Sequence, residues 1–266
     1  MSGPPPAQTR LLRRGRPLKR WRYVAFFSAD LMGCAAIVRI GPARQTFWAL
    51  LDRTSGTLRE RTRLVPRPGE VRLEAGLLAI EDRGVSLALE LDEERGVEAL
   101  CPHGRAAVWT RKQAGIAARG TLRVDGRDLQ AIDARAVVDD TAGHHARVTE
   151  WRWTAGVGEG ADGAPLAWNL VDGVNDPPRG SERAVWVDGA AAEPPPVHFA
   201  HDLSFVEGED GSVMRFAPEA ERRRTDRLLI VSSDYRAPFG TFSGTLPGGT
   251  ELASGLGVME WHRARW

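Results

Sequence analysis

The chain has 266 residues, of which 42% are hydrophobic and 27% charged, and this composition is typical of a globular protein with one large domain or two smaller ones. The formal net charge is +1, so we expect no nucleic-acid partner, and no apolar run reaches the roughly 18 residues of a membrane-spanning helix. Cys34 and Cys101 are too few for a disulfide framework and fit no zinc motif. We therefore expect a protein of the reducing cytoplasm.

The first 20 residues form a basic segment. Seven basic residues precede the first acid, Asp30, and they are Arg10, Arg13, Arg14, Arg16, Lys19, Arg20 and Arg22. We interpret residues 1–20 as an arm that either contacts an anionic lipid surface weakly or, as is more common, is a solvated tail. Its prolines and its arginines without apolar partners predict that deleting residues 1–15 leaves thermal stability nearly unchanged.

Short apolar runs follow the arm, separated by glycine, proline or polar residues, and helix-length periodicity is absent. The first runs are "RYVAFFSAD" (22–30), "CAAIVRI" (34–40) and "QTFWALLD" (45–52), and similar runs continue to residue 262. Asp-Gly, which suits hairpin turns because both positions need positive φ, begins at residues 125, 162, 172, 188 and 210. Many short strands joined by tight turns predict an all-β protein of antiparallel sheets, closed into barrels or sandwiches.

Two proline-rich segments divide the second half of the chain. They are "PPRG" (177–180) and "EPPP" (193–196), and either can be a loop between two units. We place the first β-barrel domain at residues 21–175 and the second, barrel-like domain at residues 176–266.

Three tryptophans lie in the hairpin-like stretch "TEWRWTAGVGEGADGAPLAWNLVDG" (149–173). Because side chains alternate along a strand, Trp151 and Trp153 share one face of the first strand, whereas Trp168 and Asn169 point to opposite faces of the returning strand. Both faces carry apolar groups, so we expect both to be covered, as when a barrel wall packs against a second layer. Two interpretations stay open. The tryptophans fill a core, or they line a cavity whose few polar groups orient a ligand.

Several stretches from Val108 to the C-terminus resemble, in order and spacing, the family called domain of unknown function 2804. They are "VWTRKQAGIAARGTLRVDG", "VTEWRWTAGVG", "LAWNLVDGVND", "SERAVWVDG" and "FGTFSGTLPGGTELASGLGVMEWHRARW", and "KRWRYVAFFSADLMGCAAIV" resembles that family's opening strands. At greater distance the segments resemble the AttH-like, lipocalin-related group, which includes carotenoid hydratases, tocopherol cyclases and lipocalin-like pericyclases. The resemblance implies two antiparallel lipocalin-like (calycin-like) barrels or half-barrels in tandem.

The same resemblance places Asp139 at or beside an aspartate of the group, while Asp140 stands where the group has a histidine. His144 and His145 follow slightly later. A carboxylate with an imidazole can transfer protons, so these four residues are the candidate catalytic residues. Adjacent aspartates on a strand face opposite ways, so at most one reaches a given cavity. The alternative, a polar turn with two exposed acids, carries equal weight.

Candidate ligand-binding residues surround the tryptophan hairpin. They are Trp109, Arg111, Trp151, Trp153, Trp168, Asn169, Asp172, Asn175 and Glu182. Arg111 can anchor a carboxylate or pair with one of the acids, while the aspartate and asparagines can simply cap turns. His198 and His201 face opposite ways on a strand, which is poor geometry for a shared metal, and we predict no metal site. Phosphate-loop and dinucleotide-binding motifs are absent, so we predict no cofactor.

These residues support two functions of different classes. The first is a lipocalin-like protein that binds a small, largely apolar molecule, such as a lipid or an isoprenoid, in a cavity lined by Trp109, Trp151, Trp153 and Trp168. The second is a cofactor-independent hydratase, cyclase or isomerase that acts on such a molecule by acid–base chemistry. A buried carboxylate with a raised pKa beside the cavity would favour the second. A β-rich interaction module without a pocket is the third alternative.

Overall fold

A computed structural model describes residues 3–5, 9–13, 15–94, 96–103, 106–127, 130–228 and 231–265, with only the backbone described at residues 228 and 231. Within these residues every regular element is a β-strand, and all strand pairs are antiparallel. Two short strands, β1 (Leu12–Arg13) and β2 (Arg16–Pro17), pair with each other in the N-terminal segment. The other strands form two large sheets that follow one another along the chain.

The first sheet contains the strands from β3 to β12. They are β3 (Lys19–Phe27), β4 (Leu31–Ile40), β5 (Ala43–Asp52), β6 (Thr57–Arg63), β7 (Val71–Glu74), β8 (Leu77–Asp82), β9 (Val85–Leu91), β10 (Val97–His103), β11 (Ala106–Val124) and β12 (Gln130–Gly143). Their order is β6-β5-β4-β3-β12-β11-β9-β8-β7, and β10 also pairs with β11. Strand β7, at one end of this order, packs against β4 and β5 near the other end, so the sheet curls into a half-barrel.

The second sheet contains the strands from β13 to β21. They are β13 (Val148–Gly160), β14 (Pro165–Asp172), β15 (Ala184–Val187), β16 (Ala190–Ala192), β17 (Val197–Phe199), β18 (Phe205–Gly208), β19 (Val213–Leu228), β20 (Val231–Thr245) and β21 (Glu251–Arg265). Their order is β16-β15-β14-β13-β21-β20-β19-β18-β17, and β14 contacts β17 across the curl. The C-terminal strand therefore lies at the centre of this sheet.

The Asp-Gly turns behave as predicted at two places. Asp125 and Gly126 both have positive φ after β11, and Asp188 and Gly189 both have positive φ between β15 and β16. Asp172-Gly173 differs, because it begins a long loop between the antiparallel strands β14 and β15 and makes no tight two-residue turn. The pattern of short strands and tight turns thus produces the antiparallel architecture that the sequence predicts.

The division between the two sheets falls between Gly143 and Val148, earlier than the predicted boundary after residue 175. The physical reason is strand pairing: β13 pairs along its whole length with β21, the last strand of the chain. The predicted N-terminal arm (residues 1–20) also differs from the structure. Leu18 and Lys19 are buried, and Lys19 begins β3.

The apolar residues form three clusters. One fills the first half-barrel and includes Val24 and Phe26, and another fills the second half-barrel and includes Trp168 and Phe242. The third lies between the two sheets and is built from the alternate residues of the same strands, among them Tyr23 and Trp153. Strands such as β3, β13 and β14 are therefore covered on both faces, as the tryptophan hairpin predicts. The two half-barrels pack against each other through the faces turned away from their own cores.

Candidate functional site

A cavity of about 350 Å³ lies between the two half-barrels, and both sheets contribute to its wall. Its aromatic lining residues are Trp21, Tyr23, Phe47, Trp151, Trp153 and Tyr235. Its principal polar lining residues are Lys19, Lys112, Asp139, His145, Asn175, Glu182, Arg222, Glu260 and His262. An apolar cavity with a few convergent polar groups is the usual composition of a small-molecule site.

Strand pairing brings these side chains together. In the first sheet Asp139 on β12 is paired with Tyr23 on β3 and with Lys112 on β11. In the second sheet His262 on β21 is paired with Trp151 on β13. Directly paired residues of neighbouring strands point to the same face, so each sheet presents a row of aromatic and charged groups to the other.

A buried ion-pair network occupies the first-sheet side of the cavity. The Nζ of Lys112 lies 2.8 Å from Oδ1 of Asp139 and 3.2 Å from Oε1 of Glu182. The indole Nε1 of Trp21 donates to Oδ2 of Asp139 at 3.1 Å, and the Nδ2 of Asn175 donates to Oε2 of Glu182 at 2.9 Å. One ammonium thus holds two carboxylates, and each carboxylate has a further donor.

Burial and the neighbouring charges shift the pKa values of Lys112 and Glu182. Burial acts to lower the pKa of Lys112, but Asp139 and Glu182 outweigh it, so the net shift is upward and the ammonium stays charged. Burial raises the pKa of Glu182, while Lys112 opposes that shift. Because two acids share one cation, Glu182 is the carboxylate of this network that takes up a proton more readily than usual.

Glu260 is a second acidic group in the wall, and it is not among the candidates selected from the sequence. Its Oε1 accepts a hydrogen bond of 2.7 Å from the indole Nε1 of Trp151. Burial raises the pKa of this carboxyl to about 7, and the negative charge of Asp139 adds to the shift. Near neutral pH the cavity therefore contains a carboxylic acid that can hold or release a proton.

Two basic groups at the first-sheet side, Lys19 and His145, have lowered pKa values, in contrast to Lys112. Burial lowers the pKa of Lys19 to about 6, and the charge of Arg16 adds to this shift. Burial likewise lowers the pKa of His145, whose ring lies 5.3 Å from that of Trp21 and 5.6 Å from that of His103. The cluster adds polarity to the cavity wall without adding much positive charge.

His262 is the imidazole on the second-sheet side. Burial lowers its pKa to about 3, so its ring is neutral at physiological pH. Its Nε2 lies 2.8 Å from Oγ of Ser233, and its ring packs 4.3 Å from that of Trp151. The neutral ring, which also lies 5.5 Å from that of Tyr235, can donate or accept a hydrogen bond in the cavity but does not readily take up a proton near neutral pH.

Six of the residues selected from the sequence line the cavity: Asp139, His145, Trp151, Trp153, Asn175 and Glu182. Asn169 supports the wall from behind, because its Oδ1 accepts from Trp153 Nε1 at 2.8 Å and its Nδ2 donates to the backbone oxygen of Glu182. These residues come from both sheets, which shows that the site depends on how the half-barrels pack.

Six other selected residues lie outside the cavity lining. Asp140 faces away from Asp139 and pairs with Arg22 and Arg111, and this pairing also accounts for Arg111. His144 contacts the backbone oxygen of Arg10, and Trp109 donates to Glu98. Trp168 lies in the core of the second half-barrel, where it donates to Thr154, and Asp172 is partly buried near Asp176. The alternation of strand faces separates them from the cavity.

Several polar residues that line the cavity were not predicted from the sequence, among them Lys19, Lys112, Arg222, Tyr235, Glu260 and His262. A signal for Glu260 and His262 exists in "VMEWHRA" (258–264), where Val258, Glu260, His262 and Ala264 alternate along one strand face. A charged residue in the middle of an otherwise apolar central strand is a candidate functional group. Within the described residues no three His, Cys, Asp or Glu side chains converge in a metal-binding arrangement.

Solved structures with a similar fold indicate the class of fold. An AttH-like protein from Nitrosomonas europaea superposes with a TM-score of 0.60 at 15% identity, with 92% of each chain covered. Kievitone hydratase from Nectria haematococca gives a TM-score of 0.58 at 10% identity, covering 93% of this chain and 88% of that chain. CghA gives 0.52 at 9% identity with the same coverage. The protein is thus an all-β protein of two lipocalin-like (calycin-like) half-barrels in tandem.

The family follows from the sequence. The family model described as "Domain of unknown function (DUF2804)" matches residues 67–266, and the chain belongs to that family. No curated protein matches the chain significantly. Among the described residues no helix is long and apolar enough to cross a membrane.

Proposed function

We propose that the protein binds a small, largely apolar molecule, of the lipid or isoprenoid kind, in the cavity between the half-barrels. The observation that carries this proposal is the lining, in which tryptophan, tyrosine and phenylalanine side chains from both sheets surround a space of about 350 Å³. Aromatic walls supply a large apolar contact area, and the few polar groups orient the bound molecule. The lipocalin-like fold of the solved neighbours supports this class of function.

Extraction with organic solvent tests the proposal most directly. We expect mass spectrometry of the extract to identify a co-purified apolar molecule, or titration with a medium-chain alcohol to change the tryptophan fluorescence in a saturable way. Trp153→Phe should reduce that change, because Trp153 lines the cavity. Trp109→Phe is the matched control, since Trp109 lies outside the lining. No co-purified molecule and no saturable change with any apolar probe would contradict the proposal.

A second candidate function, acid–base catalysis on the bound molecule, is favoured by one observation. The carboxyl of Glu260 lies in the wall, and burial raises its pKa to about 7. In this candidate Glu260 gives its proton to a carbon–carbon double bond of the bound molecule, and the faces of Trp151 and Tyr235 stabilise the resulting cation. Addition of water gives hydration, and loss of a neighbouring proton gives isomerisation; in both cases the released proton returns to the carboxylate.

The protonation of Glu260 can be tested before any substrate is identified. Infrared difference spectra should contain the carbonyl band of a protonated carboxyl that disappears as the pH rises through about 7. Glu260→Gln should remove the band. Asp139→Asn is the companion variant: it should keep the band but move its disappearance to lower pH, because the negative charge of Asp139 adds to the raised pKa of Glu260. A band that survives in Glu260→Gln would assign the proton to another group and remove Glu260 from the catalytic candidate.

A further inference from the structure

Arg222 is a buried cation in the cavity wall that neither proposed function uses. It lies on β19, its residue surface is only 3% exposed, and it lines the cavity. Its guanidinium carbon lies 4.4 Å from the centre of the Phe47 ring and 5.6 Å from that of Tyr235. The two aromatic rings hold the planar guanidinium in a fixed orientation, with its N–H edges as the only polar surface.

The hydrogen bonds of Arg222 are incomplete. Its Nε donates to Oε2 of Glu60 at 2.7 Å, and its Nη2 reaches Oγ1 of Thr62 only at 3.4 Å. Its Nη1 is buried and makes no hydrogen bond to any residue that the structure describes. The thiol of Cys34 lies near the guanidinium, but a thiol sulfur is a weak acceptor. A buried donor without an acceptor is costly, so a bound molecule that supplies one is stabilised.

The charges around Arg222 favour a negative group. Its partner Glu60 has a side chain that is 40% exposed, so this carboxylate is hydrated and compensates the buried guanidinium only in part. The neighbouring Arg224 is already compensated by Asp226, 2.6 Å away. The other acid that faces Arg222 is Glu260, whose raised pKa of about 7 keeps much of it uncharged near neutral pH. A carboxylate brought by the ligand meets no fully charged, uncompensated acid there.

We propose that the molecule bound in this cavity is an apolar carboxylic acid whose carboxylate accepts hydrogen bonds from the free N–H edge of Arg222. This inference rests on the proposed binding function and specifies its ligand class. Arg forms strong, directional hydrogen bonds with carboxylates, and in a water-poor cavity such bonds discriminate against a neutral head group. The aromatic walls then surround the hydrocarbon part.

The test compares decanoate with decanol by tryptophan fluorescence titration at pH 6.5, where the carboxyl of Glu260 is mostly protonated and decanoate is ionised. Decanoate is kept below its micellar concentration and decanol below its solubility limit. The two probes share the same chain and differ only in the head group. We expect decanoate to bind about tenfold more tightly or better, the ratio that one charge-assisted hydrogen bond gives. Equal affinities for the two probes would overturn this inference and leave the binding function intact. If neither probe binds, the proposed function itself fails.

Two variants identify the residue. Arg222→Met should abolish the preference for decanoate, so that the two probes bind with similar affinity. Arg236→Met is the matched control, because Arg236 is on the neighbouring strand β20, pairs with Glu221 and lies outside the cavity lining. Glu60→Gln should act in the opposite direction, since it removes the competing carboxylate, and should increase the preference for decanoate severalfold. The Glu60→Gln variant also tests the inference if Arg222→Met does not fold. A preference that Glu60→Gln leaves unchanged would contradict the inference.

Discussion

Trp153 and Asn169 join the two strands of the tryptophan hairpin by a buried hydrogen bond, in which the indole Nε1 donates to the side-chain oxygen at 2.8 Å. The amide nitrogen of Asn169 then donates to the backbone oxygen of Glu182, also at 2.8 Å. This chain of bonds ties a cavity-lining tryptophan to the loop that carries the Glu182 carboxylate. Asn169 is therefore a positioning residue for two parts of the site.

Replacing Asn169 should destabilise the protein. Asn169→Leu leaves the buried indole N–H and the backbone oxygen without partners, and we expect the free energy of unfolding to fall by about 2–4 kcal/mol. Urea unfolding measures the change. Phenylalanine at position 153 lacks the indole N–H, so Asn169→Leu, Trp153→Phe and the double variant form a double-mutant cycle. The coupling energy between the two residues should be about 1 kcal/mol. Strict additivity of the two substitutions would argue against the bond.

Trp153 contributes both to the cavity wall and to the apolar cluster between the half-barrels. Trp153→Ala should therefore have two effects: a stability loss of about 3–5 kcal/mol and weaker binding of apolar probes to the protein that remains folded. Trp168→Ala is the control, because Trp168 lies in the core of the second half-barrel. It should cost similar stability without a specific loss of binding. Unchanged probe binding by folded Trp153→Ala would place the ligand elsewhere.

The raised pKa of Glu260 gives a defined pH dependence of stability. The native carboxyl keeps its proton up to a pKa of about 7, whereas the ordinary value of 4.5 applies to the unfolded chain. The native state thus binds more protons between these values, so this stabilising contribution is complete below pH 4.5 and is lost as the pH rises through 7. The loss should be about 3–4 kcal/mol, since the pKa rises from 4.5 to about 7 and each pKa unit corresponds to about 1.4 kcal/mol.

Glu260→Gln isolates this contribution from that of the other titrating groups. The difference in unfolding free energy between the natural protein and the variant should decrease from pH 4 to pH 8, as measured by urea unfolding at several pH values. Glu251→Gln provides the control, because Glu251 is exposed on the same strand. A pH-independent difference for Glu260→Gln would contradict the assigned pKa shift.

The N-terminal segment makes contacts that the sequence did not predict. The backbone oxygen of Arg10 lies 2.9 Å from Nε2 of the fully buried His144, and the backbone nitrogen of Leu18 donates to the oxygen of Leu11. With these contacts, deletion of residues 1–15 should lower the free energy of unfolding by about 1–3 kcal/mol, because His144 loses its partner. Thermal and urea unfolding measure this. In a His144→Leu background the deletion should cost clearly less; an equal cost would assign the effect to other contacts of the segment.

The sequence contains much of the information about the fold. Asp125-Gly126 and Asp188-Gly189 fix tight antiparallel turns, because both residues of each pair adopt positive φ. The alternation in β14 assigns Trp168 to one core and Val171 to another, since the pleat sends successive side chains to opposite faces. These are local rules, and they operate on neighbouring residues.

Which residues belong to the site depends on the pairing of strands that are distant along the chain. Asp139 meets Lys112 because β11 and β12 form a hairpin, but a β-bulge between Ala114 and Ile116 shifts the register by one residue, so a count back from the turn would pair Asp139 with Gln113 instead. Trp151 meets Glu260 only because β13 pairs with the C-terminal strand, more than a hundred residues later. The boundary between the sheets depends on the same pairing, and the sequence pattern predicts it at a different place.

Turn chemistry and strand alternation act over a few residues, so the amino-acid pattern specifies the class of structure and the face on which each side chain lies. The packing of the two half-barrels, in contrast, places the cavity between them and brings Glu260, His262 and Arg222 into its wall. A strand pattern specifies that a face must be covered, but the partner that covers it is selected by the packing of both sheets together. The contact between Arg222 and Glu60, which joins residues of the two sheets, is the clearest example.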